Sequence, residues 1–188
     1  MSHSLPPAWR VLSRVRFIHA LVLTSGLALS SSLAPASASQ VANGTFVFDH
    51  APRLVGASTT QPASFVSGGT YQFTLTLPQD AGAPLQAVTI SQPANAAKMQ
   101  FAPAQSQAIA NGAIVPISAI GGATDDSLTI AFEQPIQPGS TVTISLLVDR
   151  NPGLGGIYLF GVTAYPVGDS TNGLFLGYGR VTLFNQRG

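Results

Sequence analysis

Alternation of apolar and polar residues with a period of two constrains this chain more than any other feature. It runs over residues 71–77, 127–132 and 141–148, where Thr, Ser, Gln or Ala separates the apolar positions. Side chains two apart on a β-strand share a face, so each run predicts a strand with one buried side and one wetter side. After residue 38 no segment has an amphipathic helical period, and proline, glycine and β-branched residues oppose a helix there.

Shorter runs extend the pattern. Segments 45–49, 87–91 and 113–118 predict short strands, and segments 156–165 and 174–184 are apolar on both faces. We interpret the last two as central strands or as contributors to an interface, because a strand buried on both sides loses its alternation.

Turn signals separate the runs. Asn111-Gly112 is typical of a tight hairpin turn, and Pro138-Gly139 fits the central positions of a type II turn. Segment 93–110, rich in Ala and Gln, is the one place where we expect a helical turn. About seven to nine strands at this spacing predict an all-β fold, an antiparallel immunoglobulin-like β-sandwich, in a single domain over residues 39–188.

Residues 1–38 have the three-part pattern of a secretory signal peptide. Arg10, Arg14 and Arg16 form a basic region, a largely apolar run follows over 17–34, and an Ala-Ser-Ala triplet ends at Ala38. We expect cleavage after Ala38 and export to the periplasm or cell surface. The alternative is a retained membrane anchor, for which the apolar run has about the minimum length. The chain has no cysteine, so the exported domain must be stable without disulfides.

Charged residues are scarce. They make up 8% of the chain, and the part after residue 38 has five Lys or Arg against seven Asp or Glu. Five scattered cations cannot displace the counterions of a nucleic acid, so we exclude nucleic-acid binding. Because a large apolar surface is uncommon on a monomer, we expect a partner, either another envelope protein or a surface polymer, to cover part of one sheet face.

Three segments are distinctive enough to compare with a known family. They read YQFTLTLPQDAGAPLQ over 71–86, RNPGLGGIYLFGVTAYP over 150–166 and LGYGR over 176–180. Together they resemble an uncharacterised family of exported cyanobacterial proteins, a domain of unknown function. The resemblance implies a cyanobacterial source and an envelope location, and it implies no activity and no catalytic residues.

No catalytic constellation emerges from the sequence. His50 is the only histidine after residue 38, and no G-x-S-x-G motif accompanies it. Two of Asp80, Asp125, Asp126 and Asp149 could act as a glycosidase pair, but each lies beside turn-forming residues, where aspartate caps the local backbone. We therefore predict a non-enzymatic domain without a cofactor.

A ligand carrier is the alternative function. Copper would use the imidazole of His50 and the thioether of Met99, and calcium would use the oxygens of Asp125 and Asp126. Neither pair has the number or the spacing of ligands that a dedicated site requires, so we assign no metal ligands. A small glycan is the other ligand class considered.

The predicted partner-binding surface consists of Arg150, Tyr158, Tyr165, Tyr178 and Arg180. Arginine presents a fork of donors to a carboxylate, and tyrosine offers an amphipathic contact area. A structural role is the alternative. Asp149 or a strand carbonyl would hold Arg150 across the turn at 151–153, and Gly155-Gly156 would allow a bulge. Beside Tyr178 and Arg180, Gly177 and Gly179 would mark the close approach of another backbone or an aromatic ring packed opposite.

Overall fold

Two five-stranded antiparallel sheets pack face to face over one apolar core. The computed structural model describes residues 47–94, 96–121, 126–168 and 172–186, so the predicted signal peptide lies outside the described residues. The elements are β1 (Arg53–Thr59), β2 (Ser67–Thr76), β3 (Leu85–Ser91), a 3₁₀-helix (Pro103–Gln105), β4 (Gln107–Ala110), β5 (Ala113–Val115), β6 (Ile117–Gly121), β7 (Ser127–Ile136), β8 (Thr141–Arg150), β9 (Gly156–Pro166) and β10 (Leu174–Leu183).

The strand order is that of an immunoglobulin-like sandwich. The first sheet has the order β1-β2-β8-β4-β5, and the second has the order β10-β9-β3-β7-β6. Strands β1-β2-β8-β4 correspond to A-B-E-D of the immunoglobulin fold, and β3-β9-β10 correspond to C-F-G. The predicted all-β antiparallel sandwich is therefore confirmed.

The described residues form ten strands rather than about seven to nine, because one run that predicts a single strand contains two short strands. Segment 113–118, predicted as one strand, contains β5 of the first sheet and the start of β6 of the second. Pro116 lies between them and has no N–H for a ladder, while its carbonyl accepts a hydrogen bond from the Glu133 N–H at 2.9 Å. Asn111 and Gly112, with φ of 50° and 83°, form the predicted tight turn between β4 and β5.

The core confirms the predicted alternation. Every second residue of β2, β7 and β8 is buried along most of each strand. The largest side chains join the two sheets: the ring of Phe160 meets those of Tyr71 and Phe73 edge to face, with centroids 5.7 and 5.5 Å apart. Each fully buried side chain of this size contributes about 1.5–3 kcal/mol to the hydrophobic stabilisation.

Three further predictions concern the first strand, segment 93–110 and the last two strands. Residues 47–49 form no strand, and the first strand is instead β1, whose alternation is broken by a bulge between Leu54 and Gly56. The expected helical turn in 93–110 is the 3₁₀-helix. Strand β9 is internal, whereas β10 is an edge strand, so the interpretation as a central strand holds for β9 and is wrong for β10.

Strands β2 and β8 of the first sheet and strands β9 and β10 of the second turn different side chains outward. On the first sheet, threonines pair across β2 and β8: the Oγ1 atoms of Thr74 and Thr143 lie 3.1 Å apart, and those of Thr76 and Thr141 lie 3.4 Å apart. On the second sheet, β9 and β10 turn large apolar side chains outward. Among the described residues, no helix is long and apolar enough to cross a membrane.

Candidate functional site

The outer surface of β9 and β10 is the candidate site, and we call it the β9–β10 face. Antiparallel pairing sets Leu159 opposite Arg180, Gly161 opposite Tyr178 and Thr163 opposite Phe175. Cross-strand partners share a sheet face, and alternate residues along β9 join them. The face therefore consists of Ile157, Leu159, Tyr165, Phe175, Tyr178 and Arg180.

A β-bulge places two aromatic rings side by side on this face. Phe175 and Tyr178 are three residues apart, a spacing that sends side chains to opposite faces of a regular strand. The register shifts between Phe175 and Gly177, and Gly177 has φ of +114°, which favours glycine. Leu176 is the extra residue, so both rings point outward, in an edge-to-face contact with centroids 5.2 Å apart.

Gly161 of β9 makes room for this aromatic pair. A Cβ atom there would lie 3.3 Å from Phe175 Cε2, 3.7 Å from Tyr178 Cε1 and 2.6 Å from Ser91 Oγ. The glycine thus lets the two rings lie over the backbone of β9 and next to β3. Aromatic packing over a strand glycine was expected at Gly177 and Gly179; Gly161 is a further such glycine, and the bulge is what brings Phe175 over it.

The face is exposed and apolar. Ile157 is 56% exposed, Phe175 53% and Tyr178 60%, and Phe184, just beyond β10, is 64% exposed. With Leu159, these side chains present on the order of 500 Å² of apolar surface, which is at the upper end for the largest patch on a monomer. An exposed apolar patch of this size typically marks a site of interaction with a protein, a membrane or a ligand.

Arg180 is the one charged member of the face. It is exposed, lies opposite Leu159 and is two residues from Tyr178 on the same side of β10. Its guanidinium has no carboxylate partner among the described residues. A fork of five donors therefore lies on an apolar surface with no carboxylate partner in the part of the chain that the structure describes.

The structure brings together three of the five predicted site residues, Tyr165, Tyr178 and Arg180. Tyr165 lies on the same face one pair beyond Phe175, where its ring packs over Gly173. Arg150 ends β8 in the other sheet, opposite Ser67. Ile157, Leu159 and Phe175 were not among the predicted site residues. Segments 156–165 and 174–184 are apolar on both faces, which is typical of strands buried on both sides, so the pattern does not reveal that these side chains are exposed.

Tyr158 belongs to the interior side of β9. It lies opposite Val181 and packs against the core, and its hydroxyl donates a 2.7 Å hydrogen bond to the Leu154 carbonyl. Burial also raises the pKa of the Tyr158 hydroxyl. We therefore expect Tyr158→Ala to lower the free energy of unfolding by about 3 kcal/mol or more, and Tyr178→Ala to change it by less than about 1 kcal/mol, as measured by urea denaturation.

Asn151 explains why the turn after β8 has its composition. This buried side chain accepts a 2.8 Å hydrogen bond from the Tyr71 hydroxyl and donates to the carbonyls of Gln61 and Ala63 at 2.7 and 2.8 Å. Its backbone N–H donates to the Val66 carbonyl. The residue joins the segment after β1 to the core, so its role is structural.

Of the residues considered for catalysis or metal binding, only His50 and Asp80 contact each other among the described residues. His50 Nδ1 lies 2.9 Å from the Asp80 carbonyl oxygen and 3.4 Å from Asp80 Oδ2, at the exposed end of the sandwich where β8 begins. Met99 is buried, and the next residue accepts a hydrogen bond from the Asp149 N–H, at the far end of β8. Asp126 pairs with Lys98 at 2.6 Å, and Asp125 lies outside the described residues. No group of three or more His, Cys, Asp or Glu side chains suited to a metal occurs within the described ranges.

Besides the exposed β9–β10 face, the structure has a concave feature at the opposite edge of the sandwich. A cleft of about 370 Å³ opens between the 3₁₀-helix and strands β4, β5 and β6, and its lining side chains carry no charge. Ser106, Gln107 and Ser118 supply its polar groups. The Oγ atom of Ser106 is buried and has no hydrogen-bond partner among the described residues.

Comparison with known sequences places the chain in a family. A family model described as "Protein of unknown function (DUF2808)" matches residues 45–183. The chain belongs to the DUF2808 family. The DUF2808 match ends at Leu183, the last residue of β10, so it includes every strand described here. The resemblance to a family of unknown function is thus confirmed, while the exported and cyanobacterial parts of that expectation stay predictions. No curated protein matches the chain in sequence.

Solved structures similar to the DUF2808 domain include bacterial surface proteins. BslA, a bacterial hydrophobin, is 14% identical with a TM-score of 0.43, over 74% of this chain and 98% of its own. The N-terminal domain of the Streptococcus gordonii adhesin Sgo0707 is 15% identical with a TM-score of 0.48, over 74% of this chain and 34% of that one. ACE19, the collagen-binding subdomain of the Enterococcus faecalis surface protein ACE, is 6% identical with a TM-score of 0.43, over 71% and 98%. At such identities and TM-scores, these likenesses carry no argument about function.

Proposed function

We propose that this protein is a non-enzymatic binding module of the cell envelope and that the β9–β10 face is its contact surface. The observation that carries the proposal is the contrast between two pairs of neighbouring strands. Strands β2 and β8 turn paired threonines outward, whereas β9 and β10 expose four large apolar side chains, Ile157, Leu159, Phe175 and Tyr178. On the first sheet the exposed outward isoleucines are Ile109 and Ile114 of the short strands β4 and β5. Exposed apolar area of this extent gains free energy when a partner removes it from water.

The detailed construction of the face supports the proposal. A bulge, a glycine with positive φ and a strand glycine without a Cβ act together to turn two aromatic rings outward. Each feature costs conformational entropy or ladder hydrogen bonds. A sheet that only needed a stable edge could have left Phe175 facing inward on a regular strand.

The proposed location is the cell envelope. The basic, apolar and small-residue pattern of residues 1–38 supports export of a single domain over 39–188, and the family resemblance supports a cyanobacterial envelope as its setting. The partner is then another envelope protein or a surface polymer. The chain has no cysteine, so the exported domain would hold its fold through its core without disulfides.

The test compares two isoleucine-to-lysine variants in affinity capture from the native envelope. Ile157→Lys places a charge in the β9–β10 face, and Ile114→Lys places the same charge on β5, at a site that is 77% exposed. We expect both variants to remain folded, because both side chains are solvent-exposed. The proposal expects Ile157→Lys to lose the crosslinked partner and Ile114→Lys to retain it. Equal retention by both variants would contradict the proposal.

A ligand carrier is a second candidate, favoured by the cleft at the other edge. Its volume is typical of small-molecule sites, its lining is uncharged, and the buried Ser106 hydroxyl has no partner among the described residues. These features suit a small neutral glycan better than a metal ion. A thermal-shift panel of neutral saccharides tests it, since a ligand of the folded state raises the Tm. The shift should vanish when Gln107 is replaced by Ala, and a panel without any shift would rule out this candidate.

A further inference from the structure

We propose that the partner of the β9–β10 face is a different protein, one that presents an aspartate or glutamate within an apolar surface. This inference rests on the proposed function and adds the chemistry of the partner. Arg180 carries it, because the guanidinium is exposed in the middle of the face, opposite Leu159 and beside Tyr178.

A carboxylate is the group that Arg180 requires when the face is covered. Covering the face removes the guanidinium from water, and no carboxylate among the described residues is placed to compensate for the lost hydration. A buried unpaired charge is strongly unfavourable, whereas a carboxylate from the partner can accept two parallel hydrogen bonds from the guanidinium fork. The partner must therefore supply the acid.

The same charge argues against a second copy of this chain as the occupant. In a two-fold dimer both subunits contribute the same patch. The described residues of the β9–β10 face include a cation and no acid, so self-association through them would bury two Arg180 guanidiniums without a carboxylate. The apolar area, on the order of 500 Å² before the surrounding atoms are added, approaches the area of about 800 Å² that one partner contributes to a standard protein interface.

A lipid surface and an acidic polysaccharide fit less well. Adsorption to anionic lipid draws on several cations, at about 1 kcal/mol each, and the face offers one arginine. An acidic polysaccharide could pair with Arg180 but would leave Ile157, Leu159 and Phe175 without an apolar counterpart. A protein surface supplies both kinds of group.

A random peptide library tests the inference while the partner is still unidentified. The library is panned on the purified protein, and peptides that also bind Ile157→Lys are removed, so that ligands of the face remain. Affinities of synthetic peptides are then measured for wild type, for Arg180→Gln and for Arg53→Gln, a matched variant of an exposed arginine on β1. We expect peptides that combine Asp or Glu with aromatic or aliphatic residues. Arg180→Gln should weaken their binding at least about tenfold and Arg53→Gln by less than about twofold, and high salt should reduce the difference.

The outcomes separate this inference from the proposed function. Face-directed peptides without acidic residues, or peptides that bind Arg180→Gln as well as wild type, would overturn the acidic partner and leave the face as a binding surface. A failure to find any peptide sensitive to Ile157→Lys would overturn both. Self-association of the wild type that Ile157→Lys abolishes, or binding to vesicles of phosphatidylcholine and phosphatidylglycerol with the same sensitivity, would replace the protein partner with a second copy or a membrane.

Discussion

At the scale of single residues, stability depends on one buried polar group. The Asn151 side chain makes three hydrogen bonds, and each of its partners, Tyr71 Oη and the carbonyls of Gln61 and Ala63, belongs to a segment far away in sequence. A buried polar network that is fully satisfied stabilises one arrangement, and a partly satisfied one is costly. This asparagine therefore determines how the chain passes from β1 to β2 beneath the turn after β8.

We expect Asn151→Ala to lower the free energy of unfolding by about 3 kcal/mol, because it removes three buried hydrogen bonds, one from the Tyr71 hydroxyl and two to the carbonyls of Gln61 and Ala63. Tyr71→Phe, which removes one bond, should cost about 1–2 kcal/mol. Urea denaturation of both single variants and of the double variant measures these losses in the free energy of unfolding. The double variant should cost less than the sum of the two. A loss below about 0.5 kcal/mol for Asn151→Ala would contradict the role assigned to it.

The Tyr71 hydroxyl also predicts a pH dependence. Burial raises its pKa from 10.0 to about 12. The neutral hydroxyl is thus favoured in the folded state, so the stabilisation is complete below pH 10 and is lost as the pH rises through about 12. The difference between these two pKa values corresponds to about 3 kcal/mol in the free energy of unfolding. Between these pH values the stability of the wild type should fall more steeply than that of Tyr71→Phe in urea titrations; parallel curves would show that this hydroxyl does not couple folding to pH.

At the scale of elements, the edges of the two sheets meet where β1 passes β10. Gly179 faces inward there, and a Cβ atom would lie 2.7 Å from the Ala57 Cβ and 3.4 Å from Phe73 Cε1. The close approach of these strands holds β10 in place from the interior, while its other side carries the candidate face. Packing of β10 and the shape of the face are therefore linked.

Substituting this glycine tests the link. Gly179→Ala should destabilise the fold by about 1–3 kcal/mol, because the methyl group overpacks a contact between two strands. Gly156→Ala, at the start of β9 where an added Cβ meets nothing within 4 Å, is the matched control. Its effect should be neutral or slightly stabilising, since glycine weakens a strand interior. Thermal unfolding of both variants measures the difference, and equal Tm values would contradict the tight contact.

Regular strands could be predicted from the sequence, whereas irregular backbone could not. The runs at 71–77, 127–132 and 141–148 predicted strands correctly because their hydrophobic period is regular. Irregular backbone was not predicted: the bulge at Leu54–Gly56 concealed β1, Pro116 split one predicted strand between two sheets, and the bulge at Phe175–Gly177 moved an aromatic ring to the outer face. Tyr178 and Arg180 were predicted as site residues, whereas the exposure of Ile157 and Leu159 was not, because a strand that is apolar on both faces predicts burial on both sides.

At the scale of the whole molecule, the proposed function assigns binding to one side of the sandwich. The threonine pairs of β2 and β8 contact each other across the strands, whereas the β9–β10 face presents apolar side chains and one arginine that lacks a carboxylate among the described residues. A scaffold held by a continuous core can carry such a face without loss of stability. We therefore assign binding to one face and solvation to the other.

Site-specific photocrosslinking in the native envelope tests this assignment most directly. A photoreactive amino acid replaces Leu159 on the β9–β10 face or Thr74 on the outer face of the first sheet, and both positions are accessible to solvent. We predict a discrete crosslinked product from position 159 and none from position 74. Equal crosslinking from both positions, or crosslinking from position 74 alone, would contradict the assignment of binding to the β9–β10 face.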